Sequence, residues 1–354
     1  MPPPQNKLIR GLLALPILCL AIAASRVMDV KPVLTEAKSM RDAGKLFFGE
    51  NVDVDIIREF YRLSPGFDGF VAEVNMFFVP GMYGLSQECR KQMVTFITEG
   101  MVLLMIWGFE SGRSGVVVRF PNLFALLGQL LGIGVLSPLW CFLQYTFSGK
   151  QQEVTKTRWT LASFPAVILA FLLPFYGVLF VPDLEMRQKL LFVWQLYPIY
   201  LSVALFIFSR LFKDSNDKQR DFTVKKIYIG MASLMGAALW VSNAWFGSGI
   251  KETFIPTDIP STGVVEGRLD FLGFIVQFMR WDGVFSFGSH LLWMAYQFWD
   301  LKAEGLLEEG WFKVVGLMLL GVPVVGPGAS VGMAWLFREN ILVTRGQKVH
   351  EKRA

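Results

Sequence analysis

The chain has 354 residues, of which 53% are hydrophobic and only 18% charged, with a formal net charge of +5. A mean hydropathy of +0.44, with apolar stretches of spanning length recurring throughout, excludes an ordinary soluble domain. The basic excess lies in short polar segments and suits an anionic membrane surface rather than nucleic acid.

The first run, "LIRGLLALPILCLAIAAS", has basic flanks and a short apolar core. It predicts a first transmembrane helix or signal anchor over 1–25, with a cleaved signal peptide as the alternative. Residues 26–65 form the one long polar segment, and its "VDIIREFYRL" has amphipathic spacing, which predicts a helix lying on the membrane surface. The run 66–84 contains Asp68, Glu73 and Pro80 and either spans or lies in the interface.

Apolar windows then recur near 93–111, 120–145, 161–181, 190–211, 227–247, 270–298 and 312–337. Together they predict an all-α integral membrane protein, a polytopic helical bundle of about seven to nine transmembrane helices over 66–337, followed by a basic tail at 338–354. The segment 213–226 and that tail are equally basic with three predicted spans between them, so positive charge sets no orientation. Cys19, Cys89 and Cys141 stand apart without metal-ligand spacing, giving neither a disulfide framework nor a zinc site.

An ionisable side chain at mid-bilayer costs about 2.5–3.5 kcal/mol on insertion scales, so each needs a partner, a wet cavity or a function. Glu99 and Glu110 are eleven residues apart, three helical turns, which puts them on nearly one face about 16 Å apart. They are candidates to line one cavity at two depths. Arg113 follows Glu110 by three, and an interfacial Glu–Arg pair ending the helix is the simpler alternative. Glu99 equally suits the opposite interface, near Arg90 and Lys91.

The stretch "VQFMRWDGVFSF" carries Arg280 and Asp282 two positions apart. On a helix they point about 200° away from each other, so they do not pair. Asp282 shares a face with Ile275, Phe278, Ser286, Ser289, Trp293 and Tyr296, polar at its centre and aromatic at its rims. Arg280 requires a carboxylate or carbonyl from another helix, with Glu99 and Glu110 as candidates. The competing explanation is an interhelical ion pair that only fixes the bundle. His290 lies about 80° off the Asp282 face and is either a core histidine bonded to a carbonyl or part of a proton relay.

Carboxylates among aromatic walls suit proton-driven chemistry. A carboxylic acid in a low-dielectric pocket stays protonated near neutrality and serves as a general acid toward a lipophilic substrate. Opening an epoxide or protonating an alkene leaves a carbocation, which aromatic faces stabilise by roughly 0.5–2 kcal/mol each. Trp107, Trp240, Trp281 and Trp293 are available for this, against the ordinary gathering of Trp at membrane interfaces.

The multi-span layout, "FESGR" (109–113) closing an apolar helix, and "RWD" (280–282) inside a late helix resemble the fungal membrane-bound terpene cyclases of the ascofuranone and macrophorin type. The resemblance implies a class II cyclase that needs no metal or cofactor and protonates the terminal alkene or epoxide of a farnesyl chain in meroterpenoid or sesquiterpenoid secondary metabolism. It implies Glu110 and Asp282 as catalytic carboxylates, with Glu99 a third candidate, and Arg280 or Arg113 setting their protonation and position. Its implied partners are the lipid bilayer, in the endoplasmic reticulum, and a prenylated small-molecule substrate from an upstream prenyltransferase and epoxidase. The chain is longer than the compact cyclases of other fungal meroterpenoid pathways.

Two readings compete. Asp214, Asp217 and Asp221 have the DxxDxxxD spacing with which membrane prenyltransferases hold magnesium and diphosphate, although Lys213, Lys218 and Arg220 interrupt it and a solvated linker explains it more simply. A transporter or channel would use the buried charges as a path, with the Gly/Pro-broken "PVVGPGAS" (323–330) as an unwound helix.

Overall fold

The computed structural model describes residues 6–48, 52–84, 86–111, 116–147, 157–215, 217–260, 264–265, 268–351. Arg113, the last residue of "FESGR", lies outside them. The described chain is a helical bundle with two short antiparallel hairpins, Lys45–Phe48 with Val52–Asp55 and Val264–Val265 with Arg268–Leu269.

Its axis is the helix Phe271–Ala303. Asp270 starts it by accepting the Gly273 N–H at 3.0 Å, a side-chain cap for an orphan donor, and Gly305 ends it at φ +74°. Most of its surface is buried, against Ile133–Phe147, Leu15–Val27, Gln87–Ser111 and Pro327–Glu351.

Three described helices are long and apolar enough to cross a membrane: Gln87–Ser111, the continuous run Thr157–Phe180, and Lys218–Ala244. Two bent pairs raise this to five if each is one span: Lys7–Leu13 with Leu15–Val27, bent by 54°, and Leu184–Gln195 with Tyr197–Leu211, bent by 65°. The seven to nine continuous spans expected from hydropathy are therefore not shown. Two expected runs break instead at glycines with positive φ. Gly132, at φ +85°, separates Pro121–Leu131 from Ile133–Phe147, and Gly326, at φ +91°, separates Trp311–Val325 from Pro327–Glu351. Glycine alone adopts such angles cheaply, and averaging apolar residues over a window does not register the break. Within Thr157–Phe180 a π turn at Ile168–Leu172 precedes Pro174, which has no N–H to return to the carbonyl four residues back.

The N-terminal half also differs from expectation. "VDIIREFYRL" does not form a surface helix: Val52–Asp55 is a strand and residues 56–64 run without helix. The amphipathic helix lies earlier, at Lys31–Ala43. The stretch 66–84 folds into two short helices, Pro65–Met76 and Val79–Met82, and is no span. Asp68 organises the 56–64 loop by accepting the N–H groups of Phe60, Tyr61, Arg62 and Leu63 at 2.6–3.1 Å.

Burial pushes the Asp68 carboxyl up, but those four donors outweigh it and hold the group below the usual carboxylate range. A depressed folded-state pKa contributes stability above the ordinary carboxylate pKa that is lost as pH falls through the depressed one. Accordingly, Asp68→Asn should speed proteolytic cleavage within 56–64 at neutral pH. The wild-type loop should reach that cleavage rate only on strong acidification, and unchanged cleavage in the variant would contradict this anchoring.

The C-terminal helix does not change character at 338. Pro327–Glu351 is one helix, and Arg338 and Glu339, each 1% exposed, belong to the bundle rather than to a basic tail.

Candidate active site

The break at Gly132 starts a new helix in the middle of the bundle. The first N–H groups of a helix have no partner within it and carry the positive end of its dipole. Asp282, 5% exposed and on the facing side of Phe271–Ala303, fills that vacancy: one carboxylate oxygen accepts the Gly134 N–H. No side chain separates the two helices here, because a Cβ on Gly134 would lie 2.8–3.0 Å from the Asp282 carboxylate, Cα and carbonyl oxygen. Gly134→Ala should therefore cost about 1–3 kcal/mol by overpacking and displace the carboxyl. Thermal unfolding in detergent checks the first effect, and wild-type stability in that variant would deny the close contact.

Asp282 borders an apolar cavity of about 100 Å³. Phe77, Phe78, Trp107, Trp194, Tyr197 and Phe278 line it with their rings, the aromatic setting that a carbocation requires. Gly100 and Gly128 also line it, so backbone rather than bulk borders part of the space.

The serine stripe predicted to continue this wall does not. Ser286 and Ser289 are fully buried and absent from the cavity lining, because that part of the helix packs directly on Ile133–Phe147. Trp293 lies in the same packing and donates its Nε1–H to Gln144 at 2.7 Å.

Arg280 points away, as helical geometry requires, but its partners are neither Glu99 nor Glu110. It donates to the Glu88 carboxylate and to the Glu252 carbonyl. The reach of Arg280 runs toward the start of Gln87–Ser111, whereas both proposed carboxylates lie farther along that helix. His290 has both nitrogens engaged. Trp107 Nε1–H donates to Nε2 at 2.8 Å. Because indole nitrogen is a donor only, the ring is neutral at Nε2 and gives its Nδ1–H to the Ser286 carbonyl at 2.7 Å. His290 is thus a satisfied core histidine that fixes the Trp107 ring, which also stacks on Trp140 at 5.2 Å.

Glu99 and Glu110 do share a helix face, but it packs against Pro327–Glu351 rather than lining a cavity. Glu99 sits where Gly236, Gly326 and Gly328 leave room, since a Cβ on any of them would meet it. It is 2% exposed, and its Oε1 has no hydrogen-bond partner among the described residues. Neither Arg90 nor Lys91 is bonded to it; Lys91 reaches Ser248 at 2.9 Å. Glu110 binds Arg338 at 2.7 Å, Trp335 Nε1 at 2.8 Å and Gln144 Nε2 at 3.0 Å. The structure therefore brings Asp282 and Trp107 to one cavity and leaves Glu99, Glu110, Arg280, Trp240, Trp281 and Trp293 off its lining. Trp240 donates to the Pro323 carbonyl at 3.2 Å and Trp281 to the Asp258 carbonyl at 2.9 Å.

Sequence reading missed Trp194, Tyr197 and the Gly132–Gly134 break. The pattern Gly-Ile-Gly inside an apolar run was the available signal for the last. The aspartates at 214, 217 and 221 are individually engaged. Asp214 lies 3.5 Å from Arg158, Asp217 caps Lys218–Ala244, and Asp221 pairs with Lys225 at 2.7 Å. Among the described residues, no three His, Cys, Asp or Glu side chains gather as a metal site.

Comparison with known proteins extends the reading. The CtvD domain model matches residues 33–343. A relative named FAD-dependent monooxygenase verC1, from Penicillium polonicum, is 29% identical over 97% of this chain and 44% of its own length. The chain spans less than half the length of each of the three FAD-dependent monooxygenases it matches. Terpene cyclase ctvD from Aspergillus terreus is 24% identical over 76% of this chain and 83% of its own, and terpene cyclase rstn5 from Aspergillus nomiae is 27% identical over 72% and 73%. No solved structure matches the chain. With the family's model matched across most of the chain, this protein belongs to the CtvD domain family, and proteins named terpene cyclase align with it over most of their own length.

Proposed function

We propose that the chain is a membrane-bound terpene cyclase in which Asp282 is the general acid that starts cyclisation of a farnesyl or epoxyfarnesyl chain. The observation that carries the reading is a buried carboxyl, held by one backbone N–H, opening onto an aromatic cavity. The Asp282 proton passes to the terminal alkene carbon or the epoxide oxygen, and a new C–C bond forms as the next double bond attacks the resulting cation. A final proton loss gives a product isomeric with the substrate. The positive end of the Ile133–Phe147 helix dipole steadies the carboxylate left behind, and the Trp107 and Trp194 faces attract the cation.

Three relatives are named FAD-dependent monooxygenases, and a flavin monooxygenase is the type of enzyme that turns an alkene into an epoxide. This favours the epoxide as the group that Asp282 opens. The same reading puts the protein in the endoplasmic reticulum membrane, downstream of a prenyltransferase and an epoxidase in meroterpenoid synthesis.

The test is expression in a host fed a farnesylated aromatic compound or its terminal epoxide, with mass spectrometry for a new isomer of unchanged mass. Absence of a cyclised product from both substrates would overturn the reading. The prenyltransferase alternative is disfavoured by the engagement of Asp217 and Asp221 in a helix cap and a buried ion pair. The transporter alternative is disfavoured because the break at Gly326 is occupied by Glu99 and Trp240.

A further inference from the structure

A second, larger cleft of about 770 Å³ lies beside the Asp282 cavity. The helices Gln87–Ser111, Pro121–Leu131 and Tyr197–Leu211 and the run Thr157–Phe180 contribute to both spaces, and half-buried Leu104 lines both. On Gln87–Ser111 the combined lining extends from Phe96 to Ser111, a rise of about 22 Å along the helix. The two ends differ in chemistry. The Asp282 end is closed in by hydrocarbon and rings. The other end is bordered by exposed Arg119, by Asn122 hydrogen-bonded to Ser202 at 2.7 Å, and by Trp159. Arg119 borders the cleft and makes no hydrogen bond or ion pair among the described residues.

An apolar cavity of about 150 Å³ holds a benzene molecule. The Asp282 cavity, at about 100 Å³, therefore accommodates the reacting end of a prenyl chain and not the whole of a ring-bearing substrate. Building on the cyclase reading above, we propose that the larger cleft binds the head group of the substrate, an aromatic ring bearing an acidic phenol or carboxylate, with the chain passing Leu104 to reach Asp282. Arg119 supplies the counter-charge, Asn122 and Ser202 the hydrogen-bonding groups, and Trp159 an aromatic surface. Binding energy gathered there, remote from the reacting bond, would position the far end of the chain against the acid.

Two farnesyl analogues test this with full-length protein in membranes, independently of turnover. One carries a photoreactive benzophenone on an acidic aromatic head, the other at the far end of the chain. The head probe should label peptides from 119–126 or 198–205, and the tail probe peptides around 278–282. The reverse pattern, or no labelling of these segments above that of a non-prenylated benzophenone, overturns the assignment even if cyclisation is observed.

Kinetics provides the second arm. Arg119→Gln should raise KM about tenfold for an acidic ring-bearing epoxyfarnesyl substrate, an effect of about 1.4 kcal/mol, with KM for epoxyfarnesol, which lacks the ring, unchanged. Leu104→Trp should lower kcat/KM for both substrates. Equal KM changes for both substrates in Arg119→Gln, or none for either, would overturn the head-group site while leaving the cyclase reading intact. If wild-type protein cyclises neither substrate, the cyclase reading fails and the head-group proposal fails with it.

Discussion

In Asp282→Asn, cyclisation is expected to fall by about 10²–10⁴-fold, the usual contribution of a positioned general acid, with the protein still inserted and folded. The amide oxygen of asparagine can accept the Gly134 N–H as the carboxylate does, and the side chain is nearly the same size, so the close contact between the two helices survives. What disappears is the acidic proton. The measurement is product formation by membranes containing equal amounts of folded wild type and variant, with folding judged by size-exclusion chromatography in detergent. Near wild-type turnover would move Asp282 from chemistry to helix packing.

Removing Arg338 is expected to damage stability more than any other single substitution considered. Its guanidinium lies 2.7 Å from Glu110 and 3.1 Å from Glu339, all three side chains being at most 1% exposed. It also stands over the Trp293 ring at 5.9 Å. In Arg338→Met the aliphatic bulk is largely kept, but two buried carboxylates lose the guanidinium that bridges them. Breaking a buried pair in this way costs about 3–5 kcal/mol, which thermal unfolding in detergent would read as a large drop in midpoint. The double variant Arg338→Met with Glu110→Gln should recover part of the loss, because it removes one of the two buried carboxylates that Arg338 bridges. A single variant as stable as wild type would show that the cluster does not hold Gln87–Ser111 to Pro327–Glu351. Because Gln144 bonds both Glu110 and Trp293, slack in this cluster would also reach the helix that carries Asp282.

Much of the architecture was legible along the chain. Apolar run length located the helices, since a spanning or buried helix must be hydrophobic over most of its length. Helical periodicity separated Arg280 from Asp282, and each does face a different neighbour. The same periodicity put Glu99 and Glu110 on one face, and the structure agrees. It could not say what the face met, which is a packed helix rather than a cavity. "PVVGPGAS" announced a break, and Gly326 provides it, yet only the fold shows that the space left by the missing side chains is filled by Glu99.

The sequence alone determined helix content, the presence of apolar runs of spanning length, the direction of each charged side chain around its own helix, and the resemblance to fungal terpene cyclases. These follow from local rules of hydropathy and a 3.6-residue repeat. The tertiary structure decided which groups meet. It paired Arg280 with Glu88, drew Arg338 from a supposed tail into the core beside Glu110, and set Asp282 against the helix start at Gly134. Those contacts join residues up to 228 positions apart. Their partners depend on how breaks at Gly132 and Gly326 aim whole helices, and no local pattern encodes that aim.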